Sequence, residues 1–263
     1  MNYKVLILSI LFLLSISLFL GLFDKNEDLY SKTKSEQYDS NLNYLNSTNK
    51  LSSFCDSIYN SQKLPMFDTL AYTNTVSDIV KKRFHFGLAN YYMSDNWITY
   101  LFGKMFWSHF LAIVSPDDIL KHSNGLCSQQ TIVFMEILKL KGIHVRSVGL
   151  GRAGGPGHFV CEAKYNLGWH VYDVTKEPKW ERIVEQHNSL KYYISHKDSL
   201  YIIYNFIVDR IVLNKYISQV KYGEDNTFPA TKMLFFHRIT YFFSFFIPIL
   251  LLIFIYRFLK KVY

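Results

Sequence analysis

A thiol, an imidazole and a carboxylate follow one another along one short stretch of this chain. Cys127, His158 and Asp173 occur in that order, each in a different local sequence. A thiolate attacks carbonyl carbon, an imidazole moves the proton, and a carboxylate holds the imidazole in one orientation. The three residues therefore predict a nucleophile, its base and the group that orients the base, which is the chemistry of acyl transfer.

The position of Cys127 suits a nucleophile because a helix is predicted to begin there. Asn124 and Gly125 precede it, an apolar run with helical spacing follows, and Gly142 ends the run. The start of a helix favours negative charge and offers N–H groups to a thiolate or an oxyanion. We expect the helix to open at Leu126 or Cys127.

His158 and Asp173 are predicted to be neighbours on two antiparallel strands. Strand-like sequences cover residues 158–165 and 169–174, with the turn sequence Asn166-Leu167-Gly168 between them. Across a tight turn, the beginning of one strand lies beside the end of the next. Asp173 is then placed to hold one tautomer of the His158 imidazole.

The remaining elements predict an α+β fold around these residues. Residues 51–110 are mostly helical in pattern, with apolar residues at helical spacing from Thr75 to Tyr92, and Ser115-Pro116 begins a short helix. A third strand is expected at 143–150, before a glycine-rich loop at 151–157. Helical patterns return from Trp180 to about Lys221. Helices, a nucleophile helix, an antiparallel sheet and further helices follow in that order.

Four segments around the three residues resemble the core of the transglutaminase-like superfamily. They are Gly125–Cys127, Leu138–Arg146, Gly157–Ala163 and Gly168–Thr175. The resemblance implies a papain-like core in which a nucleophile helix packs on an antiparallel sheet. It also implies that Cys127 is the nucleophile, His158 the base and Asp173 the orienting acid.

The resemblance is confined to residues 115–175 and has two departures. The family often has Asp-Pro after the second of these strands, where this chain has Asp173-Val174. It often has an aromatic pair after the histidine, where this chain has Phe159-Val160. Neither departure changes a catalytic side chain, and the rest of the chain leaves the substrate pocket unassigned.

The other reactive side chains have plainer interpretations. Cys55 and Cys161 are expected to be buried apolar residues, and three cysteines cannot form a complete disulfide framework. The histidines lack metal-ligand spacing, so we expect neither a metal nor a cofactor. Arg146 is expected to pair with a local acid rather than with substrate.

Two apolar runs near the ends of the chain predict a membrane protein. Val5–Phe23 and Ile239–Tyr256 contain no charged residue, and each is long enough to cross a bilayer. We expect a transmembrane signal anchor at 1–23, a polar stalk at 24–50, a transglutaminase-like domain at 51–232 and a second span with a basic tail at 233–263.

The charges around the first run predict the orientation. Lys4 precedes it, and three acidic residues and one basic residue follow it, namely Asp24, Lys25, Glu27 and Asp28. Basic residues favour the cytoplasmic side of a span. Two spans then place both termini in the cytoplasm and the central domain on the extracytoplasmic side.

The net charge of +8 does not indicate a nucleic-acid partner. Five of the 29 basic residues flank the two apolar runs, so the rest nearly balance the 21 acidic residues; those five are Lys4, Arg238, Arg257, Lys260 and Lys261. Basic residues in such positions are typical of membrane anchoring. We therefore expect a lipid bilayer as a partner and no nucleic acid.

The favoured function is that of a membrane-anchored cysteine acyl-enzyme. Such an enzyme is a peptidase, an amidase or an acyltransferase acting on a peptide, a protein or another amide or ester. One alternative is a catalytically silent, transglutaminase-like binding module of the cell envelope. Another is acetyl transfer to an arylamine, which needs acetyl-CoA and hence a cytoplasmic domain. The oligomeric state is left open.

Overall fold

The computed structural model describes residues 3–22, 37–151, 157–176, 188–204 and 208–260. The chain divides into two compact units. The first unit comprises Met1–Asp28, Asn90–Val114 and Ala230–Tyr263, and the second comprises Leu29–Ala89 and Ser115–Pro229. Cys127, His158 and Asp173 all belong to the second unit.

The described residues form helices and short strands in a mixed order. The helices are α1 (Tyr3–Phe19), α2 (Thr48–Ser61), α3 (Thr69–Arg83), α4 (Met93–Met105), α5 (Pro116–Leu120), α6 (Cys127–Leu140), α7 (Leu190–Ser195), α8 (Lys197–Tyr204), α9 (Arg210–Ile217) and α10 (Thr231–Lys260). The strands are β1 (His85–Phe86), β2 (Asn124–Gly125), β3 (Val145–Leu150), β4 (His158–Tyr165), β5 (Gly168–Tyr172) and β6 (Val220–Tyr222). The α+β class is therefore confirmed.

A four-stranded antiparallel sheet forms the centre of the second unit. Its strand order is β5-β4-β3-β6. Asn166 and Leu167 join β4 to β5 with φ values of +48° and +64°, as a two-residue hairpin turn with two left-handed residues requires. The predicted hairpin is confirmed, with β5 beginning at Gly168.

Helices cover both faces of this sheet. On one face, α6 lays Phe134 against Tyr172, with ring centroids 5.4 Å apart. On the other, Val148, Leu150 and Val160 pack with apolar residues of α7, α8 and α9. Each fully buried aliphatic or aromatic side chain contributes about 1.5–3 kcal/mol relative to exposure. Burial on both faces explains why most of β4 is inaccessible to water.

The α3 helix ends earlier than its apolar spacing predicts. The expectation of a continuous helical pattern from Thr75 to Tyr92 is wrong, because α3 stops at Arg83. Phe84 is extended (φ −122°, ψ 141°), and β1 then pairs in parallel with β2. Arg83 is buried and donates hydrogen bonds to backbone carbonyls of Leu45, Leu120 and His122. Those long-range contacts end the helix.

The region after the sheet is helical, as predicted, but it contains one strand. Residues 177–187 lie outside the described part of the chain, and α7, α8 and α9 follow. The predicted helix up to Lys221 is wrong at its end, where β6 pairs with β3. Residues 220–222 form a strand despite their weak local preference for a helix, because pairing with β3 satisfies backbone N–H and C=O groups at the edge of that strand.

The boundaries of the units differ from the predicted domains. Residues 23–36 of the predicted stalk lie outside the described residues. The Asp39 N–H donates to the Lys82 carbonyl, and Leu45 is buried, so the second unit includes residues before 51. Asn90–Val114 belongs to the first unit rather than to the predicted central domain.

The first unit contains one helix that is long and apolar enough to cross a membrane. This helix is α10, with 30 residues and a mean hydropathy of 2.3 over its most apolar stretch. The other apolar helix of the described residues, α1, has 17 residues and is shorter than such a helix needs to be. Of the two predicted spans, α10 alone has the length and apolar character of a membrane-crossing helix among the described residues.

Candidate active site

Cys127 is the first residue of α6, where the sequence places it. The Leu126 N–H donates to Gln129 Oε1 at 3.1 Å, which satisfies a backbone group ahead of the helix. Gln129 also exchanges two hydrogen bonds with the backbone of Ala89, at 3.0 and 2.7 Å. Because Gln129 is buried, these bonds fix the start of α6 to the preceding segment.

The surroundings of the Cys127 thiol change its pKa in opposing directions. Burial disfavours its thiolate, but a hydrogen bond to His158 and the positive charge of that imidazole act in the opposite direction. The backbone N–H of Phe159 adds a further hydrogen bond to the sulfur. Together these contacts lower the pKa of Cys127 below its ordinary value of 9.0. A larger thiolate fraction makes the residue a better nucleophile near neutral pH.

His158 begins β4 and contacts both of its predicted partners. Its Nε2 lies 2.6 Å from Asp173 Oδ2, and the two side chains are almost completely buried. With Nε2 engaged, Nδ1 is the ring nitrogen left for Cys127. Burial opposes protonation of the ring, but the charge and hydrogen bond of Asp173 outweigh it and raise the pKa of His158 to about 9.

Asp173 follows β5 and is held as a carboxylate. Its Oδ1 accepts from the Thr175 hydroxyl at 2.8 Å and from the N–H groups of Thr175 and Lys176. Its Oδ2 accepts from His158 and from the Tyr204 hydroxyl, the latter at 2.9 Å. Burial alone would favour the neutral acid, but the neighbouring His158 holds the pKa of Asp173 well below its usual range.

Two tyrosines complete the site, and sequence reasoning missed both. Tyr204 of α8 donates to Asp173, and the ring of Tyr216 of α9 lies 5.7 Å from the His158 ring. They lie on two different helices and in no motif, so no local pattern marks them. Their positions depend on how the helical region after the sheet folds back over the triad.

A cleft of about 320 Å³ adjoins His158. It is lined by residues 149–151 at the end of β3, by His158 and by residues 219–221. A Cβ atom at Gly151 would lie 2.7 Å from the Gln219 side chain, and one at Gly157 would lie 2.5 Å from the Leu150 carbonyl oxygen. Glycine at these positions lets the chain segments around the cleft approach closely. The rest of the predicted glycine-rich loop, residues 152–156, lies outside the described residues.

The other cysteines and Arg146 behave as expected. Cys55 and Cys161 are fully buried, and burial raises the pKa of the Cys55 thiol to about 12. Arg146 donates two hydrogen bonds to Glu162 Oε2, at 2.8 and 2.6 Å, so its predicted pairing with a local acid is confirmed. Among the described residues, no group of three or more His, Cys, Asp or Glu side chains is arranged to hold a metal ion.

Known proteins show little similarity to this chain. No protein-family model matches the chain, and no curated protein matches it. A solved structure described as "Crystal structure of a TGase" aligns with 70% of this chain at 14% sequence identity and a TM-score of 0.37. The chain spans 42% of that structure's length. Similarity at this level establishes neither fold nor activity, so the function must be inferred from the site.

Proposed function

We propose that this chain is a membrane-anchored, transglutaminase-like cysteine acyl-enzyme that uses Cys127, His158 and Asp173 on an amide or ester. One observation carries the proposal. A single buried imidazole, His158, hydrogen-bonds the Asp173 carboxylate at 2.6 Å and the thiol of Cys127. This arrangement of nucleophile, base and orienting acid defines triad chemistry on several unrelated folds.

Acylation uses the thiolate and imidazolium that this arrangement favours. The Cys127 thiolate attacks the substrate carbonyl carbon, a C–S bond forms, and the carbonyl electron pair moves onto oxygen. N–H groups of the first turn of α6, which have no partner within the helix, are suited to bind that oxyanion. As the oxyanion collapses, the bond to the leaving group breaks and His158 gives it a proton. A thioester and a neutral imidazole remain.

Deacylation reverses the proton transfer. Neutral His158 removes a proton from an incoming water, amine or hydroxyl, which attacks the thioester carbonyl. The C–S bond then breaks, the acyl product leaves, and the Cys127 thiolate is restored beside imidazolium. Asp173 remains ionised throughout and stabilises the charged ring. The cycle requires three side chains and neither metal nor cofactor.

The resemblance of residues 115–175 to the transglutaminase-like superfamily supports the same assignment. A helix that opens at the cysteine packs on a sheet in which His158 begins one strand and Asp173 directly follows the neighbouring strand. The substrate class that follows is a peptide, a protein or another acyl compound with an amine or alcohol leaving group.

Membrane attachment is the second part of the proposal. The length and mean hydropathy of α10 support it directly. We place α1 in the bilayer as well, with both termini in the cytoplasm and the triad on the extracytoplasmic side, because the charges flanking the first apolar run favour that orientation.

Alkylation of the purified full chain tests the proposed nucleophile. Iodoacetamide should modify Cys127 rapidly at neutral pH, while Cys127→Ala should take up almost no label. Cys55→Ala is the matched control and should react like the wild type, because Cys55 is buried. An unreactive Cys127 would rule out the acyl-enzyme. The silent binding module predicts instead that Cys127→Ala keeps its full biological function.

A further inference from the structure

An exposed apolar cluster lies in the first unit, whereas the triad belongs to the second unit. It consists of Phe102, Met105, Phe106 and Trp107, at the end of α4 and just beyond it; Met105 and Phe106 are 72% and 69% exposed. We refer to these four residues as the α4 tip. Adjoining large apolar side chains that face outward usually mark a contact with a partner or a membrane.

Polar hydrogen bonds attach α4 firmly to α10. Asn96 Nδ2 donates to the Thr240 hydroxyl at 3.0 Å and to the His237 carbonyl at 3.2 Å. The Trp97 indole donates to the Ser244 carbonyl at 3.1 Å, and the Thr99 and Thr240 hydroxyls lie 2.6 Å apart. Buried polar side chains of this kind are the contacts that hold helices together where the surroundings are apolar.

The α4 tip lies where the apolar stretch of α10 begins. The Phe102 ring centroid is 5.8 Å from that of Phe236, three residues before the uncharged run starts at Ile239. Only 17% of the most apolar stretch of α10 is buried within the protein. The exposed surface of α10 and the α4 tip therefore belong to one compact unit and adjoin each other at the beginning of the candidate span.

The charges near the α4 tip also suit a lipid surface. No Asp or Glu occurs from Asn96 to Val114, whereas Lys104 lies between Phe102 and Met105 of the α4 tip. Lys232 and Arg238 add positive charge at the beginning of α10. Aromatic rings and long basic side chains are both typical of the headgroup region, where the apolar part of each side chain faces the lipid tails and its polar end faces water.

We propose that the α4 tip inserts into the headgroup region of the bilayer, as a membrane contact separate from the span formed by α10. This inference rests on the membrane part of the proposed function and is independent of the triad. A bilayer explains the aromatic side chains, the neighbouring basic residues and the continuity with the α10 surface together. A second protein copy would explain only the exposed apolar area.

Spin-label accessibility in the full chain tests the insertion. In a Cys127→Ala background, where the two remaining native cysteines, Cys55 and Cys161, are buried, one added cysteine at a time replaces Phe106, Ile249 or Leu167 and carries a nitroxide. The proteins are reconstituted in phosphatidylcholine–phosphatidylglycerol vesicles. Oxygen dissolves preferentially in lipid, so frequent collisions with oxygen show that the nitroxide lies in the bilayer. A nickel chelate stays in water, so frequent collisions with the chelate show that the nitroxide is exposed to water. Ile249 is an exposed residue of α10, and Leu167 is fully exposed at the turn between β4 and β5.

At position 249 we expect collisions with oxygen to be far more frequent than collisions with the chelate, and at position 167 we expect the reverse. At position 106 the ratio should lie between these two, with oxygen collisions still more frequent. Chelate access at 106 equal to that at 167, with 249 still in lipid, would overturn the insertion alone. A label at 106 that neither reagent reaches would indicate a protein partner and overturn it too. Chelate access at 249 would refute the α10 span, and the insertion with it.

Discussion

His158 contributes most to lowering the pKa of Cys127, since burial by itself would make the thiol a weaker acid. His158 supplies both a hydrogen bond and a positive charge to the thiolate, and Asp173 supplies the charge that keeps His158 protonated. The sequence predicts that Cys127, His158 and Asp173 come together and which role each has. Tyr204 and Tyr216 could not be predicted, since they reach the triad from helices that follow it by many residues.

The shifted pKa values predict how alkylation of Cys127 depends on pH. As pH rises, the thiolate forms below the ordinary thiol pKa of 9.0 because imidazolium stabilises it. As pH rises further through about 9, His158 loses its proton and this stabilisation ends. The rate of iodoacetamide alkylation should therefore reach half its plateau below pH 9.0.

His158→Ala provides the comparison for that profile. Without imidazolium, burial dominates, so the midpoint of alkylation should move to pH 9.0 or above. Identical profiles for the wild type and His158→Ala would show that the imidazole does not activate the thiol.

Tyr204→Phe should weaken the triad without removing its members. The variant keeps the aromatic ring but loses the 2.9 Å hydrogen bond to Asp173, and a hydrogen bond to a charged group contributes about 1.5–3 kcal/mol. We expect the pKa of His158 to rise from about 9, since the Asp173 carboxylate loses a competing donor and interacts more strongly with imidazolium. Ester turnover should fall by roughly tenfold, as about 1.4 kcal/mol would produce, because Asp173 is held less firmly in position.

Tyr201→Phe is the matched control for that change. The Tyr201 hydroxyl donates to Asn214 at an exposed position, so its loss should leave both the NMR titration of His158 and turnover unchanged. An equal effect of both variants would mean that Tyr204 acts only through general stability.

At the scale of elements, α6 and the β4–β5 hairpin position the triad, and both could be predicted from local sequence. The helix start and the left-handed turn at Asn166 and Leu167 depend on adjacent residues. The end of α3 and the strand β6 depend on pairing with distant segments instead. Hydrophobic periodicity contains no information about such pairing.

Gln129→Leu should loosen the start of α6. The substitution leaves the backbone groups of Ala89 and the N–H of Leu126 without the partners that Gln129 provides. Unsatisfied buried polar groups cost about 1–3 kcal/mol each, so we expect a clearly lower Tm and slower alkylation of Cys127. Calorimetry and labelling of the same preparation measure both.

The same substitution at an exposed glutamine controls for the change of side chain. Gln62 bonds Thr75 at the surface of the unit, and Gln62→Leu should shift Tm only slightly. A Gln129→Leu protein as stable as Gln62→Leu would contradict the role assigned to this buried network.

At the scale of the whole molecule, the sequence predicts a long apolar segment near residue 250 but not the division into units. The apolar run that forms α10 stands out by composition alone. The assignment of Asn90–Val114 to the same unit as α10 depends on contacts such as Asn96 with Thr240, which are 144 residues apart. A pattern within one short window cannot reveal a pairing over that distance.

The proposed orientation predicts labelling from outside the cell. In a Cys127→Ala background, Leu167→Cys places a thiol at a fully exposed turn of the second unit. A membrane-impermeant maleimide should label it in intact cells to the same extent as in lysed cells. Labelling only after lysis would place this unit in the cytoplasm and would revive acetyl transfer from acetyl-CoA as the competing function.

Trapping an acyl-enzyme shows directly whether Cys127 is the nucleophile and His158 its base. The purified full chain is mixed with an activated ester, quenched in acid and mapped by mass spectrometry. We expect one acyl group on Cys127, none on Cys55 or Cys161, and acylation slower by about a thousandfold or more in His158→Ala, as for other enzymes that lose a triad member. Acylation at the same rate without His158, or no adduct on Cys127, would contradict these roles.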